Sequence, residues 1–251
     1  DCELETGNIK IDDNEIKINS KTVCICVTHF LGKPTDMNKI NKIAKKYKLK
    51  VVEDTALSIG SKIENKFSGT FGDAGAFSFH PVKIITTGEG GAIIIKNRNI
   101  FQKLKSIKSF GYDIASPQDR KIPGNYNINY LGLNYRMSEM ESAIGIDELK
   151  IINNKISVRK KNYHLLLSKI DKCKNFKILN TKSDKKYKSS YYALTIILKE
   201  NNFLKRNKII QILKQKNIQT SIYYPHPVPL LNYYRKKYKS KKEKFRNACK
   251  I

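Results

Sequence analysis

Phe77-Ser78-Phe79-His80-Pro81-Val82-Lys83-Ile84-Ile85-Thr86-Thr87-Gly88-Glu89-Gly90-Gly91 carries one lysine five residues after a serine, just past an apolar run. Ala74–Phe79 reads as the strand entering this segment. Ala92–Lys96 reads as the strand leaving it after the Gly88–Gly91 turn. Upstream, Val51-Val52-Glu53-Asp54-Thr55-Ala56 brings a short buried strand, Lys50–Glu53, to its end at a carboxylate. Before it, Thr22–Val27 is β-rich and leads through Gly32-Lys33-Pro34 into a helical pattern. Met37, Ile40, Ile43, Ala44 and Tyr47 recur there at three- and four-residue spacing, with Pro34-Thr35-Asp36 in the N-cap region. A strand–helix–strand unit of about thirty residues implies a parallel pair with a right-handed crossover. Ligands gather outside the carboxyl ends of such strands, where Asp54 falls.

Each side chain has an ordinary reading beside a chemical one. Asp54 is costly to bury unpaired; a pyridinium partner removes that cost, and a capping or loop-tying role is the alternative. Ser78 is either a phosphate ligand or a strand serine tied to backbone. Lys83 is one lysine of many, but it lies in an apolar surround, a setting in which a lysine amine serves as a nucleophile toward an aldehyde. Glycines mark any tight turn. Together, an amine, a hydroxyl and a strand-end carboxylate are what a pyridoxal 5'-phosphate site needs: lysine for the Schiff base, hydroxyl for the phosphate, carboxylate for the pyridine nitrogen.

The 251 residues, 40% hydrophobic and 28% charged, describe a globular chain without an apolar stretch of membrane-spanning length. No basic region followed by an apolar one marks a secretory signal, so the expectation is a cytoplasmic protein without membrane insertion. The five cysteines are widely spaced apart from Cys24-Ile25-Cys26, with no zinc or redox spacing, and no metal site is expected. The net charge of +27 is uneven: residues 1–150 hold 22 basic and 18 acidic side chains, residues 151–251 hold 27 and 4. A solvated lysine surface comes first as its explanation, recruitment of an anionic small substrate second, and nucleic acid last. The chain shows no aromatic-interleaved RNA motif, zinc finger or helix-turn-helix pattern.

Arg98–Lys108 reads as a helix and Phe110–Asn134 as a long loop. Ser138 caps a long helix whose apolar face runs through Met140, Ala143, Ile144, Ile146, Leu149 and Ile152 toward Leu167. Ser189–Lys199 then reads as a strand, Lys205–Gln215 as a helix, and Tyr223-Tyr224-Pro225-His226-Pro227-Val228-Pro229 as a proline-punctuated tail. The shifts in charge and pattern divide the chain into residues 1–155, a cofactor-binding large domain, and residues 156–251, a small α+β domain.

The chain resembles the DegT/DnrJ/EryC1/StrS family of pyridoxal-phosphate sugar aminotransferases. The resemblance is carried by Phe30-Leu31-Gly32-Lys33-Pro34-Thr35-Asp36-Met37, Val52-Glu53-Asp54-Thr55-Ala56 and Gly72-Asp73-Ala74-Gly75-Ala76-Phe77-Ser78-Phe79. It continues in Lys83 with Gly88-Glu89-Gly90-Gly91, in Leu133-Asn134-Tyr135-Arg136-Met137-Ser138-Glu139 and in Tyr224-Pro225-His226-Pro227. It implies an α/β, type I aminotransferase fold with a mostly parallel sheet in a partial large domain and a smaller C-terminal domain. It makes Lys83 the catalytic lysine, Asp54 the pyridinium partner and Ser78 a phosphate ligand. Asn134 reaches the phosphate of a neighbouring subunit's cofactor with Arg136 close by as a substrate residue, so the active site is shared across a homodimer. Leu57 stands where the family has Gln or His against the cofactor ring, and packs there without a polar contact. His80 either touches substrate or packs, and Tyr223, with Val228-Pro229, alters the sugar-side contacts.

The implied reaction is amino transfer, with glutamate as donor, onto a keto-sugar nucleotide in glycan biosynthesis. The family's dehydratase branch is marked by a lysine-to-histidine change that is absent at Lys83. By the same comparison the N-terminal part of the large domain, with its phosphate-cupping loop, is missing, and the small domain is cut after Ile251. A catalytically inactive, dimerising or regulatory binding protein is therefore the alternative expectation.

Overall fold

The structure, a computed structural model, describes residues 1–11, 18–113, 122, 124–170, 173, 175–198 and 203–251. Its centre is a four-stranded sheet in the order β1-β2-β5-β6, formed by β1 (Cys24–Thr28), β2 (Lys50–Asp54), β5 (Ala74–Ser78) and β6 (Gly91–Ile95). β1, β2 and β5 run parallel and β6 is antiparallel to β5. The strand–helix–strand expectation is met: α1 (Met37–Lys46) joins β1 to β2. Its N-cap, Asp36, accepts from the amides of Asn38 and Lys39, each at 3.2 Å, which satisfies donors that the first helical turn leaves without a partner.

Alternation along the strands sorts their side chains between two faces. Ile25, Val27 and Val51 face α1, whose Met37, Ile40, Ile43 and Ala44 are buried against them, with Ile63 completing the cluster. Fully burying one such aliphatic side chain is worth roughly 1.5–3 kcal/mol. The register Thr28↔Asp54↔Ala76 sets the other face. Cys24, Cys26 and Thr28 are exposed on it, and Ser78 follows Ala76 two residues on.

A second core joins the early and late parts of the chain. Leu31, Leu57, Ile59, Ile84 and Ile85 pack with Leu179 and Tyr192. A small antiparallel sheet makes the same connection: β3 (Lys62–Ile63) pairs with β4 (Lys66–Phe67) on one side and with β8 (Tyr187–Lys188) on the other. β7 (Phe176–Ile178) and β9 (Ile196–Leu198) form a separate antiparallel pair. The remaining helices are α2 (Arg98–Ile107), α3 (Glu139–Lys150), α4 (Ile152–Ile170), α5 (Phe203–Gln215) and α6 (Asn232–Tyr238). Residues 114–121 and 123 of the expected loop 110–134 lie outside the described residues, as does Lys199.

Two expectations need correction. The helix after Ser138 is two helices, broken at Ile151 (φ −103°, ψ 4°). Beyond the break Ile152 and Ile156 turn into the second core. Before it, Met140, Ile144, Ile146 and Leu149 are exposed, so the face that periodicity assigns to a core is not buried in this chain. Ser189–Lys199 is not one strand either. Ser190 donates its amide to Gly32 O at 3.1 Å, Tyr191 takes a left-handed φ of 53°, and the ladder resumes only at Ile196. Burial of Tyr191 against Tyr163 and His164 outweighs the extended pattern there.

Candidate active site

Lys83 sits on a loop whose neck is closed by backbone. Phe79 donates its amide to Gly90 O at 2.9 Å, and Thr87 donates to Phe79 O at 3.0 Å. Within it the Lys83 amide donates to His80 O at 2.9 Å, forming a tight turn. The two residues after Lys83 anchor it: Ile84 and Ile85 are buried in the second core. Thr86 donates its amide to the Glu148 carboxylate at 3.3 Å, and that carboxylate also pairs with Lys155, so α3 and α4 hold the far side. Gly90 has φ 143°, and a Cβ there would stand 2.6 Å from the Met137 side chain. The Met137 side chain therefore lies against this turn.

The amine of Lys83 is 5.8 Å from the centre of the Tyr192 ring, within cation–π range. The Tyr192 hydroxyl is 3.2 Å from Val82 O and 3.1 Å from the Tyr223 hydroxyl. Arg159 lies 5.9 Å from the same ring and donates to the Tyr192 carbonyl at 3.1 Å. Burial, and then the neighbouring Tyr223, push the Tyr192 hydroxyl well above the usual tyrosine range. Burial also raises the Tyr224 hydroxyl, reinforced by Tyr223 and by the Asp54 charge, which places Tyr224 within electrostatic reach of Asp54.

Asp54 and Ser78 project from one face at the carboxyl ends of adjacent strands. Asp54 Oδ1 accepts the Ala56 amide at 3.1 Å, and Oδ2 has Thr28 Oγ1 at 3.5 Å. Ser78 Oγ receives the His80 amide at 3.4 Å, at the long end of hydrogen bonding. A carboxylate oxygen and a hydroxyl, each with a long contact and spare capacity, fit a pyridine nitrogen and a phosphate, with Lys83 on the turn after Ser78. The donor set thus suits pyridoxal 5'-phosphate. Among the described residues no group of three or more His, Cys, Asp or Glu is placed to hold a metal ion, and no helix is long and apolar enough to cross a membrane.

The other sequence-derived residues fall in different settings. Leu57, 5% exposed, belongs to the second core behind the Lys83 turn and has little surface left for a ring to cover. His80 is exposed, with Nδ1 accepting the Val82 amide at 3.3 Å and Nε2 lying 3.9 Å from Glu89. Asn134 and Arg136 are exposed and bonded to each other at 3.3 Å, with the guanidinium over Phe110. Among the described residues no hydrogen bond joins them to Asp54, Ser78 or Lys83 of their own chain. Tyr223 reaches the lysine turn through Tyr192, and Tyr192, Tyr224 and Arg159 were absent from the sequence-derived set. Tyr191-Tyr192 in an apolar run gives only a strand signal, and Arg159 stands in a helix rich in lysine.

An α/β protein with an amine, a carboxylate and a hydroxyl at the carboxyl ends of parallel strands defines a class of cofactor-dependent enzyme folds. The sequence profile of the DegT/DnrJ/EryC1/StrS aminotransferase family matches residues 1–251, and the chain belongs to that family. Among its relatives an uncharacterized protein of Methanocaldococcus jannaschii is 34% identical over 252 residues, covering 99% of this chain and 64% of that one. The GDP-4-keto-6-deoxy-D-mannose 3-dehydratase of Escherichia coli O55:H7 is 30% identical over 228 residues, covering 87% and 58%. In structure, Helicobacter pylori PseC, an aminotransferase involved in the biosynthesis of pseudoaminic acid, superposes with a TM-score of 0.84 at 26% identity, covering 98% and 65%. The fold is therefore that of the type I pyridoxal-phosphate sugar aminotransferases, and the chain spans 58–65% of the length of these three relatives.

Proposed function

We propose that the full-length protein transfers an amino group from glutamate to a keto-sugar nucleotide, using pyridoxal 5'-phosphate, in glycan biosynthesis. The observation that carries this reading is the placement of Asp54 and Ser78 on one sheet face, with Lys83 on the anchored turn that follows. When bound, the cofactor supplies an electron sink for the carbon that carries the amino group. Asp54 would face the pyridine nitrogen and keep its proton in place, and Ser78 would hold a phosphate oxygen. Lys83 would anchor the cofactor by its amine. As general base and acid, the same amine would take up the proton of the amino-bearing carbon and give it back across the site.

Two relatives support the substrate class at family level: one is named for a keto-sugar nucleotide and the other as an aminotransferase. Lysine rather than histidine at position 83 favours amino transfer over dehydration. We take His80, Tyr223 and the tail beyond it as the sugar side of the site. Residues 1–155 then hold the cofactor, and residues 156–251 close over it through Tyr192. Asn134 and Arg136 serve the site of a second protomer in a homodimer. Lys83→Ala should abolish glutamate-dependent formation of amino sugar, read by mass spectrometry of the nucleotide-sugar product. Continued amination by that variant would overturn the assignment.

A further inference from the structure

Tyr192 is 7% exposed, yet its hydroxyl stands between two parts of the site. The direction of the hydrogen bonds follows from their chemistry. A carbonyl oxygen only accepts, so the Tyr192 hydroxyl donates its one proton to Val82 O, and the Tyr223 hydroxyl must donate to Tyr192. The chain Tyr223→Tyr192→Val82 ends on the peptide that carries Lys83. The Tyr192 ring lies at 5.8 Å from the Lys83 amine, and Arg159 holds the tyrosine backbone by its own bond to the Tyr192 carbonyl at 3.1 Å. Ile84 and Ile85 fix the turn on one side of Lys83, and this relay fixes it on the other.

We propose that Tyr192 is a positioning residue for Lys83, which couples the lysine turn to Tyr223 and the proline-punctuated tail. The inference rests on the amino-transfer reading of the site. A tyrosine that keeps its proton keeps the relay intact, and burial together with Tyr223 raises its hydroxyl in that direction. Tyr223, whose O–H donates to Tyr192, keeps lone pairs with which to accept from a hydroxyl of whatever occupies the tail side.

The test is reductive trapping in the full-length protein. Pyridoxal 5'-phosphate is added, borohydride fixes it to reactive lysines as a secondary amine, and peptide mapping compares Lys83 with exposed Lys42 and Lys160 in the same sample. Tyr192→Phe keeps the ring and removes the hydroxyl. It should slow labelling of Lys83 by about tenfold, the effect of one or two lost neutral hydrogen bonds. Its pH profile at Lys83 should change, while Lys42 and Lys160 label as before and the melting temperature falls by no more than about 5 °C. Tyr223→Phe, which removes the donor at the head of the relay, should slow Lys83 labelling in the same direction and serves if Tyr192→Phe folds poorly. The double variant should be no slower than Tyr192→Phe alone. Wild-type rate and pH profile at Lys83 in both single variants would overturn the inference. Wild-type protein in which Lys83 labels no faster than Lys42 would overturn the amino-transfer reading itself, and the inference with it.

Discussion

Glu53 and Asp54 are neighbours in sequence with opposite fates, because successive residues of a strand face opposite sides of the sheet. Asp54 points to the candidate site, whereas Glu53 is fully buried. Its carboxylate accepts amides from Phe71 and Gly72, both at 2.6 Å, and from Gly69 at 2.8 Å, and is bonded to His29 Nε2 at 2.9 Å. His29 Nδ1 accepts the Thr35 amide at 3.0 Å, so Nε2 is the donor to Glu53. Burial pushes this carboxyl up, but the bonds from His29, Gly72 and Gly69 outweigh it and hold it below its ordinary value of 4.5. A lowered folded value means that the stabilisation is complete above the ordinary glutamate range and is lost as pH falls through the folded value. Glu53→Gln sets an amide N–H₂ against backbone donors and should cost about 3 kcal/mol at neutral pH by urea unfolding. The gap between the two proteins should narrow in acid as wild-type Glu53 takes up its proton. A gap unchanged between about pH 3 and 7 would refute this role. The strand end made Asp54 legible in the sequence. The role of Glu53 was not, because its partners come from residues 29 and 69–72, which no local pattern connects to it.

At the scale of elements, local chemistry was legible and long-range burial was not. Ser138 and Glu141 form a capping box: the Glu141 amide donates to Ser138 Oγ at 3.2 Å, and the Ser138 amide donates to Glu141 Oε2 at 2.8 Å. The Ser-x-x-Glu spacing announces that start without reference to the rest of the fold. Ser138→Ala should lower the melting temperature by about 2–4 °C, with the loss seen first in α3 amide exchange. An unchanged melting temperature and exchange rate would show that packing against Met137 and Gly90 holds the helix start by itself. The pattern could not announce the break at Ile151, since apolar spacing continues across it and only the second core distinguishes Ile152 and Ile156 from the exposed residues before them. The 189–199 stretch failed for the same reason: its β-rich composition says nothing of the Gly32 carbonyl that captures Ser190. The Lys83 turn was readable as a turn, but its supports, Glu148 and Tyr192, lie 65 and 109 residues further on.

At the scale of the molecule, β1 and β6 end the central sheet with no further strand beyond either among the described residues, and Ile93 and Ile94, on opposite faces of β6, are both exposed. Leu131, Leu133, Tyr135 and Met140, which flank Asn134 in sequence, are exposed, as is Ile144 of α3. Apolar side chains so exposed are available for another surface to cover. The proposed homodimer with a shared site makes this testable through hybrids. Lys83→Ala removes the amine from a protomer's own site, whereas Asn134→Ala removes what that protomer lends to the other. Each variant alone should be inactive or strongly impaired. In a hybrid dimer, the site containing Lys83 of the Asn134→Ala protomer receives an intact Asn134 from the Lys83→Ala protomer, and both defects fall in the other site. Equal mixing with subunit exchange should make half the dimers hybrids, each with one intact site, and recover about a quarter of wild-type activity. The measurement is glutamate-dependent amino-sugar formation before and after exchange. Activity that never exceeds the sum of the two separate variants would place Asn134 and Lys83 in the same protomer's site or assign Asn134 no part in it, and the shared-site proposal would fall.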